Sequence, residues 1–219
     1  MLLSASTNPP KTHEEMFEYI KKLDKTQVDF IHCDVMDGKF VSSKTFNHKV
    51  IKQISKITSK KLDVHLMVKK PSLKLKKIAH AGAYSITVHF EAYKNKKKLV
   101  RDLQKIKSFG CFAGLSFNPT TSVLDILPFI YYCDLLLVMS VTPGKSGQEF
   151  LPETLLRLDT INEFLKKQRL ETVVEVDGGV NLKNLPLLQE KKVTSVVMGA
   201  YLYNARNLEK EVSKVKKDF

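Results

Sequence analysis

The sequence predicts an α/β chain folded as a single (β/α)8 TIM barrel over residues 1–219, and three observations carry that expectation. Eight short runs rich in Val, Ile, Leu and Phe recur at about 2–7, 28–34, 62–68, 84–89, 111–117, 133–140, 172–177 and 193–199. Segments whose apolar residues return at helical spacing separate them. The runs are apolar at nearly every position, so both faces of each strand must be covered, as in a parallel sheet wrapped by helices. Eight such units in 219 residues form one compact barrel, with no Pro/Gly/Ser linker to divide it.

The elements follow in order. The first strand enters "STNPPKTHEE", which lacks the GxGxxG turn of an open, doubly wound dinucleotide-binding sheet and so disfavours that alternative. The amphipathic segment "EEMFEYIKKLDK" leads to the second strand, "FIHCDVM", and the third strand is "LDVHLMV". The fourth ends in "HFEA", and the helix-patterned "LVRDLQKIKSFG" returns to the fifth, which runs into "GLSFNPTT". The sixth opens into "MSVTPGKSGQEF", and "ETLLRLDTINEFLKKQ" carries the chain to the seventh, which ends in "EVDGGV". The eighth strand closes in "MGA".

Composition removes several function classes. No run approaches the ~18 apolar residues of a membrane span, and "MLLSAS" lacks the basic flank and length of a signal peptide, so a cytoplasmic protein with no membrane partner is expected. Cys33, Cys111 and Cys133 share no CxxC-like spacing, which argues against a disulfide framework or a thiolate zinc site. The net charge of +13 resides in lysine runs such as 74–77 and 94–98, with few interleaved aromatics and no recognisable nucleic-acid module. These read as solvated helix faces whose field attracts an anionic small molecule, not nucleic acid.

Polar residues punctuate the C-terminal ends of the strands, where a barrel builds its active site. His32 and Asp34 are two residues apart, so alternation points both toward the barrel axis while Cys33 faces the helices. His65 and Asp177 interrupt two other apolar strands. Each alone would pass as a satisfied core residue. Two imidazoles and two carboxylates at one mouth instead make a site for one divalent metal ion, with Zn²⁺, Fe²⁺, Mn²⁺ and Co²⁺ all suited to the donor set. Three adjacent glycine-bearing loops, at Gly144, Lys145, Ser146 and Gly147, at Gly178 and Gly179, and at Gly199 and Ala200, predict a phosphate cradle after strands 6 to 8.

The stretches "HCDVMDGKFV", "LDVHLMV", "HFEA", "GLSFNPTT", "MSVTPGKSGQEF" and "EVDGGV" together resemble the ribulose-phosphate 3-epimerase family, in order and over nearly the whole chain. The resemblance implies interconversion of D-ribulose 5-phosphate and D-xylulose 5-phosphate in the pentose phosphate pathway. It makes His32, Asp34, His65 and Asp177 metal ligands, with Asp34 and Asp177 doubling as the acid–base pair. Ser6 and His65 would contact substrate, the three glycine loops would hold phosphate, and Met36, Met67 and Met139 would lie beside an enediolate and keep water out. His89 and Glu91 match the family's HxE pattern at the mouth.

Inverting C3 of a 2-ketose requires one group to remove a proton from one face and another to return one to the opposite face. Strands 2 and 7 stand three steps apart around an eight-strand ring, so Asp34 and Asp177 can take those parts. The departures from the family's pattern fall on the substrate shell. "TPGKSGQ" replaces "NPGFGGQ", "VSSKTF" replaces "VPNLTF", and Ala200 stands where serine is common. An allulose-6-phosphate 3-epimerase, or a catalytically silent barrel that binds sugar phosphate or nucleic acid, are the alternative readings. A small sugar phosphate is the expected partner, and a homo-oligomer the expected assembly. His13 and His80 fall in helical segments and His48 near a helix start, which suits surface or capping positions.

Overall fold

Residues 1–217 are described by a computed structural model. Eight parallel strands close into a barrel in sequential order. They are β1 (Leu2–Ser6), β2 (Phe30–Met36), β3 (Lys61–Met67), β4 (Ala83–His89), β5 (Phe112–Phe117), β6 (Leu135–Met139), β7 (Val173–Asp177) and β8 (Ser195–Met198). Closure comes from β1 pairing with β8, with Leu2 opposite Ser195 and Ala5 opposite Met198. Every expected strand is present, and the ends differ from the apolar runs by no more than two residues.

The crossovers are less regular than the strands. Helices α1 (His13–Asp24), α2 (His48–Ile57), α3 (Leu75–Ala79) and α4 (Lys96–Ser108) follow the first four strands. The fifth crossover is a single turn, α5 (Val123–Ile126), continued by a 3-10 segment over Leu127–Tyr132, where Pro128 offers no backbone N–H. Next come α6 (Thr154–Gln168) and α7 (Leu185–Glu190). The eighth unit divides into one turn at the barrel mouth, α8 (Ala200–Tyr203), and a returning helix, α9 (Leu208–Lys217). Local chemistry sets the helix ends. In α1 the Thr12 side chain accepts a bond from Glu15 N, with Glu14 and Glu15 in the first turn and Lys21 and Lys22 in the last.

Alternation divides the strand residues between two environments. On β2, Ile31, Cys33 and Val35 pack into the main core between sheet and helices, while His32, Asp34 and Met36 point into the barrel. The interior is lopsided. Leu135, Leu137 and Met139 of β6, with Val141 and Val197, form an apolar cluster. The rest carries buried polar groups from β1, β2, β3, β4 and β7, among them Ser4, His32, Asp63, Ser85 and Glu175. Cross-strand register stacks these in rows, His32 beside Asp63, Asp34 beside His65 and Met36 beside Met67. All three cysteines are buried and free. Among the described residues no helix is long and apolar enough to cross a membrane.

Candidate active site

The row occupied by Asp34 and His65 lies near the C-terminal ends of β2 and β3, with Asp177 at the end of β7. One donor atom each from His32, Asp34, His65 and Asp177 falls within 4.8 Å of the other three. Asp34 Oδ1 lies 3.3 Å from His32 Nε2 and 3.2 Å from His65 Nδ1. Asp177 Oδ2 lies 3.9 Å from the first of these nitrogens and 4.0 Å from the second. Bonds of about 2.0–2.2 Å to a tetrahedral ion would set its donors about 3.4 Å apart, so these separations suit one shared cation.

Hydrogen bonding orients both rings for that role. His32 Nδ1 lies 2.6 Å from Asp63 Oδ2, whose other oxygen accepts from Ser85 Oγ at 2.5 Å. With its proton on Nδ1, His32 directs the Nε2 lone pair into the site, and this nitrogen is buried without a hydrogen-bond partner. His65 Nε2 lies 2.8 Å from His89 Nε2, and His89 Nδ1 lies 3.2 Å from Glu91 Oε2. One consistent tautomer set runs through these contacts: His65 donates to His89, His89 donates to Glu91, and His65 Nδ1 is left as a lone-pair donor. Glu91 is fixed in turn by Asn118 N at 2.7 Å and by the Thr121 hydroxyl.

Charge follows environment. Burial pushes His65 down to about 4, so the imidazole is neutral, the form that binds metal. Without a metal ion His32 keeps both ring protons, and although burial would raise the Asp34 carboxyl, the His32 charge outweighs it and holds Asp34 well below the usual carboxylate range. Asp177 moves the other way, to about 7, through burial and the neighbouring Asp34 and Asp63 charges, against the pull of His32. Two carboxyl groups at one mouth thus differ sharply in proton affinity, the asymmetry expected of an acid–base pair.

Asp34 and Asp177 open onto a cavity of about 780 Å³ at the barrel mouth. Ser6 lies on its wall and donates from Oγ to Asp34 Oδ2 at 3.2 Å. Met36, Met67 and Met139 line it too, each no more than 3% exposed. Gly144, Lys145, Ser146, Gly147, Gly178, Gly179, Gly199 and Ala200 form its outer side, so the three glycine loops meet at one rim. Gly178 and Gly179 have a packing reason as well. A Cβ at the first would lie 2.5 Å from Val141 Cγ2, and one at the second 2.4 Å from Phe150 N. His32 and His65 are fully buried behind this wall and reach the cavity by way of Asp34. His89, expected at the mouth, is fully buried too, because Phe40 from the loop after β2 lies over it at a ring separation of 4.9 Å.

The row beneath the site holds functional groups that the sequence reading passes over. Asp63 and Glu175 precede His65 and Asp177 by two residues, so the alternation that singled out His32 and Asp34 would also have found them. Glu175 accepts from Ser195 Oγ at 2.7 Å, and burial with the nearby Asp63 holds its carboxyl well above the usual range. Arg157 of α6 is a further such residue. Its Nη1 donates to Met139 O at 2.7 Å and its Nη2 to Asn118 O at 3.1 Å, which pins the ends of β6 and β5.

The chain is similar to known proteins at two levels. The profile of the ribulose-phosphate 3-epimerase family matches residues 4–203. The ribulose-phosphate 3-epimerase of Synechocystis is 38% identical over 200 residues, covering 91% of this chain and 86% of the relative. That of Chlamydia pneumoniae is 38% identical over 193 residues, covering 87% and 83%. That of Bacillus subtilis is 35% identical over 198 residues, covering 90% of each chain. Among solved structures, orotidine 5′-phosphate decarboxylase from Pyrococcus horikoshii superposes with a TM-score of 0.70 at 12% identity, covering 99% of this chain and 98% of the other. The 3-hexulose-6-phosphate synthase of Salmonella typhimurium gives 0.67 at 18% identity, covering 99% and 97%. At those identities the likeness is one of fold.

Proposed function

The chain belongs to the ribulose-phosphate 3-epimerase family, and on that premise we propose that it inverts C3 of D-ribulose 5-phosphate to give D-xylulose 5-phosphate, and the reverse. The observation that carries this reading is the meeting of His32, Asp34, His65 and Asp177 beside three glycine-bearing loops at one mouth. A divalent cation held by those four side chains would supply Lewis acidity, stabilising negative charge on the substrate oxygens next to the reacting carbon.

The remaining work falls to the chain's own residues. The phosphate is held at the rim by the loops at Gly144–Gly147, Gly178–Gly179 and Gly199–Ala200, which presents C3 to the inner end of the cavity. Asp34, the carboxyl of lower proton affinity, accepts the C3 proton on one face. Asp177, the carboxyl of higher proton affinity, returns one on the other face to the planar cis-enediolate. In the reverse direction the two exchange parts. Ser6 fixes the Asp34 carboxylate, and Met36, Met67 and Met139 keep bulk water from the enediolate.

A coupled epimerase assay before and after chelation tests this reading. We expect activity on D-ribulose 5-phosphate, its loss on removal of divalent metal, and recovery on adding metal back. Full activity in demonstrably metal-free protein would overturn the proposed role of the four ligands. Preference for a six-carbon ketose phosphate would move the assignment to the allulose 6-phosphate reaction.

A further inference from the structure

A second cavity, of about 720 Å³, lies beside the mouth, sharing Met36 with its wall, between the segments that follow β2 and β3. Six lysines line it: Lys39 and Lys44 from the loop after β2, and Lys69, Lys70, Lys74 and Lys77 from the segment running into α3. Its single carboxylate, Asp37, is occupied by backbone, with Oδ1 accepting from Lys39 N and Phe40 N and Oδ2 from Lys69 N. Among the described residues none of the six ammonium groups has an ion-pair partner. The local field is felt at the rim. Partial burial and the charges of Lys77, Lys49 and Lys74 hold His48 below the ordinary imidazole range.

Six like charges around one concavity repel one another, and elsewhere on this surface lysines pair with carboxylates, as Lys107 does with Asp134 and Lys191 with Asp159. We propose that this cavity is an anion site distinct from the catalytic mouth, and that it takes a condensed phosphate chain, two or more linked phosphoryl groups as in inorganic polyphosphate or a nucleoside triphosphate. A single phosphate would neutralise at most two of the six charges. A nucleic-acid strand fits less well, because of the two aromatic rings in the wall Phe46 is buried and His48 alone offers a stacking face. Leu73, 73% exposed on the wall, gives a non-phosphate portion an apolar surface to lie against.

Titration calorimetry on the metal-loaded enzyme at low salt tests the proposal, with free Mg²⁺ in excess so that the probes do not strip the resident ion. The probes are magnesium tripolyphosphate, magnesium ATP and inorganic phosphate. One variant combines Lys39→Gln, Lys44→Gln, Lys70→Gln and Lys77→Gln. Its control combines Lys94→Gln, Lys97→Gln, Lys98→Gln and Lys105→Gln, which removes the same charge from α4 and its approach; all eight side chains are exposed. We expect tripolyphosphate to bind more tightly than phosphate and to shift the His48 ring resonances of the unmodified protein. The first variant should weaken tripolyphosphate at least about tenfold and the control by less than about threefold. ATP equal to tripolyphosphate would support a site for the chain alone, and tighter ATP a site for the nucleotide. Equal weakening by both variants would reduce the effect to net charge and overturn the site. So would unchanged binding in the first variant, an unmoved His48, or displacement by a single-stranded RNA at lower concentration than either probe.

Discussion

His32 uses its two ring nitrogens for different tasks, and the division rests on Asp63. The 2.6 Å contact at Nδ1 settles which nitrogen carries the proton and leaves Nε2 free to ligate. Asp63→Asn removes the charge that favours this tautomer while keeping the volume. Calorimetric titration with Zn²⁺ or Mn²⁺ should show affinity about 10- to 100-fold weaker, and unchanged affinity would show that Asp63 serves packing alone. Protons compete with the metal at the same atoms. Asp177 titrates near 7, and Asp34 with Asp63 overcomes burial to keep a proton on His32 well above the usual imidazole range. Both must lose protons to act as ligands, so binding releases protons and tightens as pH rises. Between pH 6 and pH 8 the affinity should increase by at least about tenfold, and a flat profile would contradict the ligand assignment. His32, Asp34, His65 and Asp177 were legible in the sequence because ionisable groups stand out in apolar strands. The pairing of His32 with Asp63 was not, since it depends on the stagger between β2 and β3, which neither strand encodes alone.

At the scale of elements, the strands were readable and the loops were not. A strand buried on both faces leaves a continuous apolar run, so all eight appear in the sequence within a few residues. Crossovers leave a weaker trace where they shorten. The single turn of α5 and the division of the eighth unit into α8 and α9 place few residues on a periodic face. Loop contacts leave none. The segment after β2 lays Phe40 on His89, which buries a histidine that strand position alone puts at the mouth. The loops after β6 and β7 interlock at Gly179, where φ is +64° and a Cβ would stand 2.4 Å from Phe150 N and 2.9 Å from Gln148 O. Backbone cannot yield as a flexible side chain can. Gly179→Ala should therefore cost about 1–3 kcal/mol in stability by chemical denaturation and raise KM for the sugar phosphate more than it lowers kcat. A variant as stable as the unmodified protein with unaltered KM would mean that the two loops are not coupled and that the phosphate lies elsewhere.

For the whole molecule, the barrel interior separates two kinds of work. The apolar cluster on β6 and β8 fills part of it, while a polar side made of inward groups from β2 and β3, joined by Glu175 and Asp177 of the intervening β7, surrounds the four clustered side chains. The polar side costs desolvation, and hydrogen bonds such as those at Asp63 and Glu175 offset it. The arrangement makes sense if the mouth must hold a cation and move a proton at one carbon. Proton NMR of D-ribulose 5-phosphate with the metal-loaded enzyme in D₂O examines that claim at the reacting atom. The C3–H signal should disappear as D-xylulose 5-phosphate forms with deuterium at C3. Folded, metal-loaded protein that leaves C3–H intact, or exchanges protons at C1 alone, would contradict it.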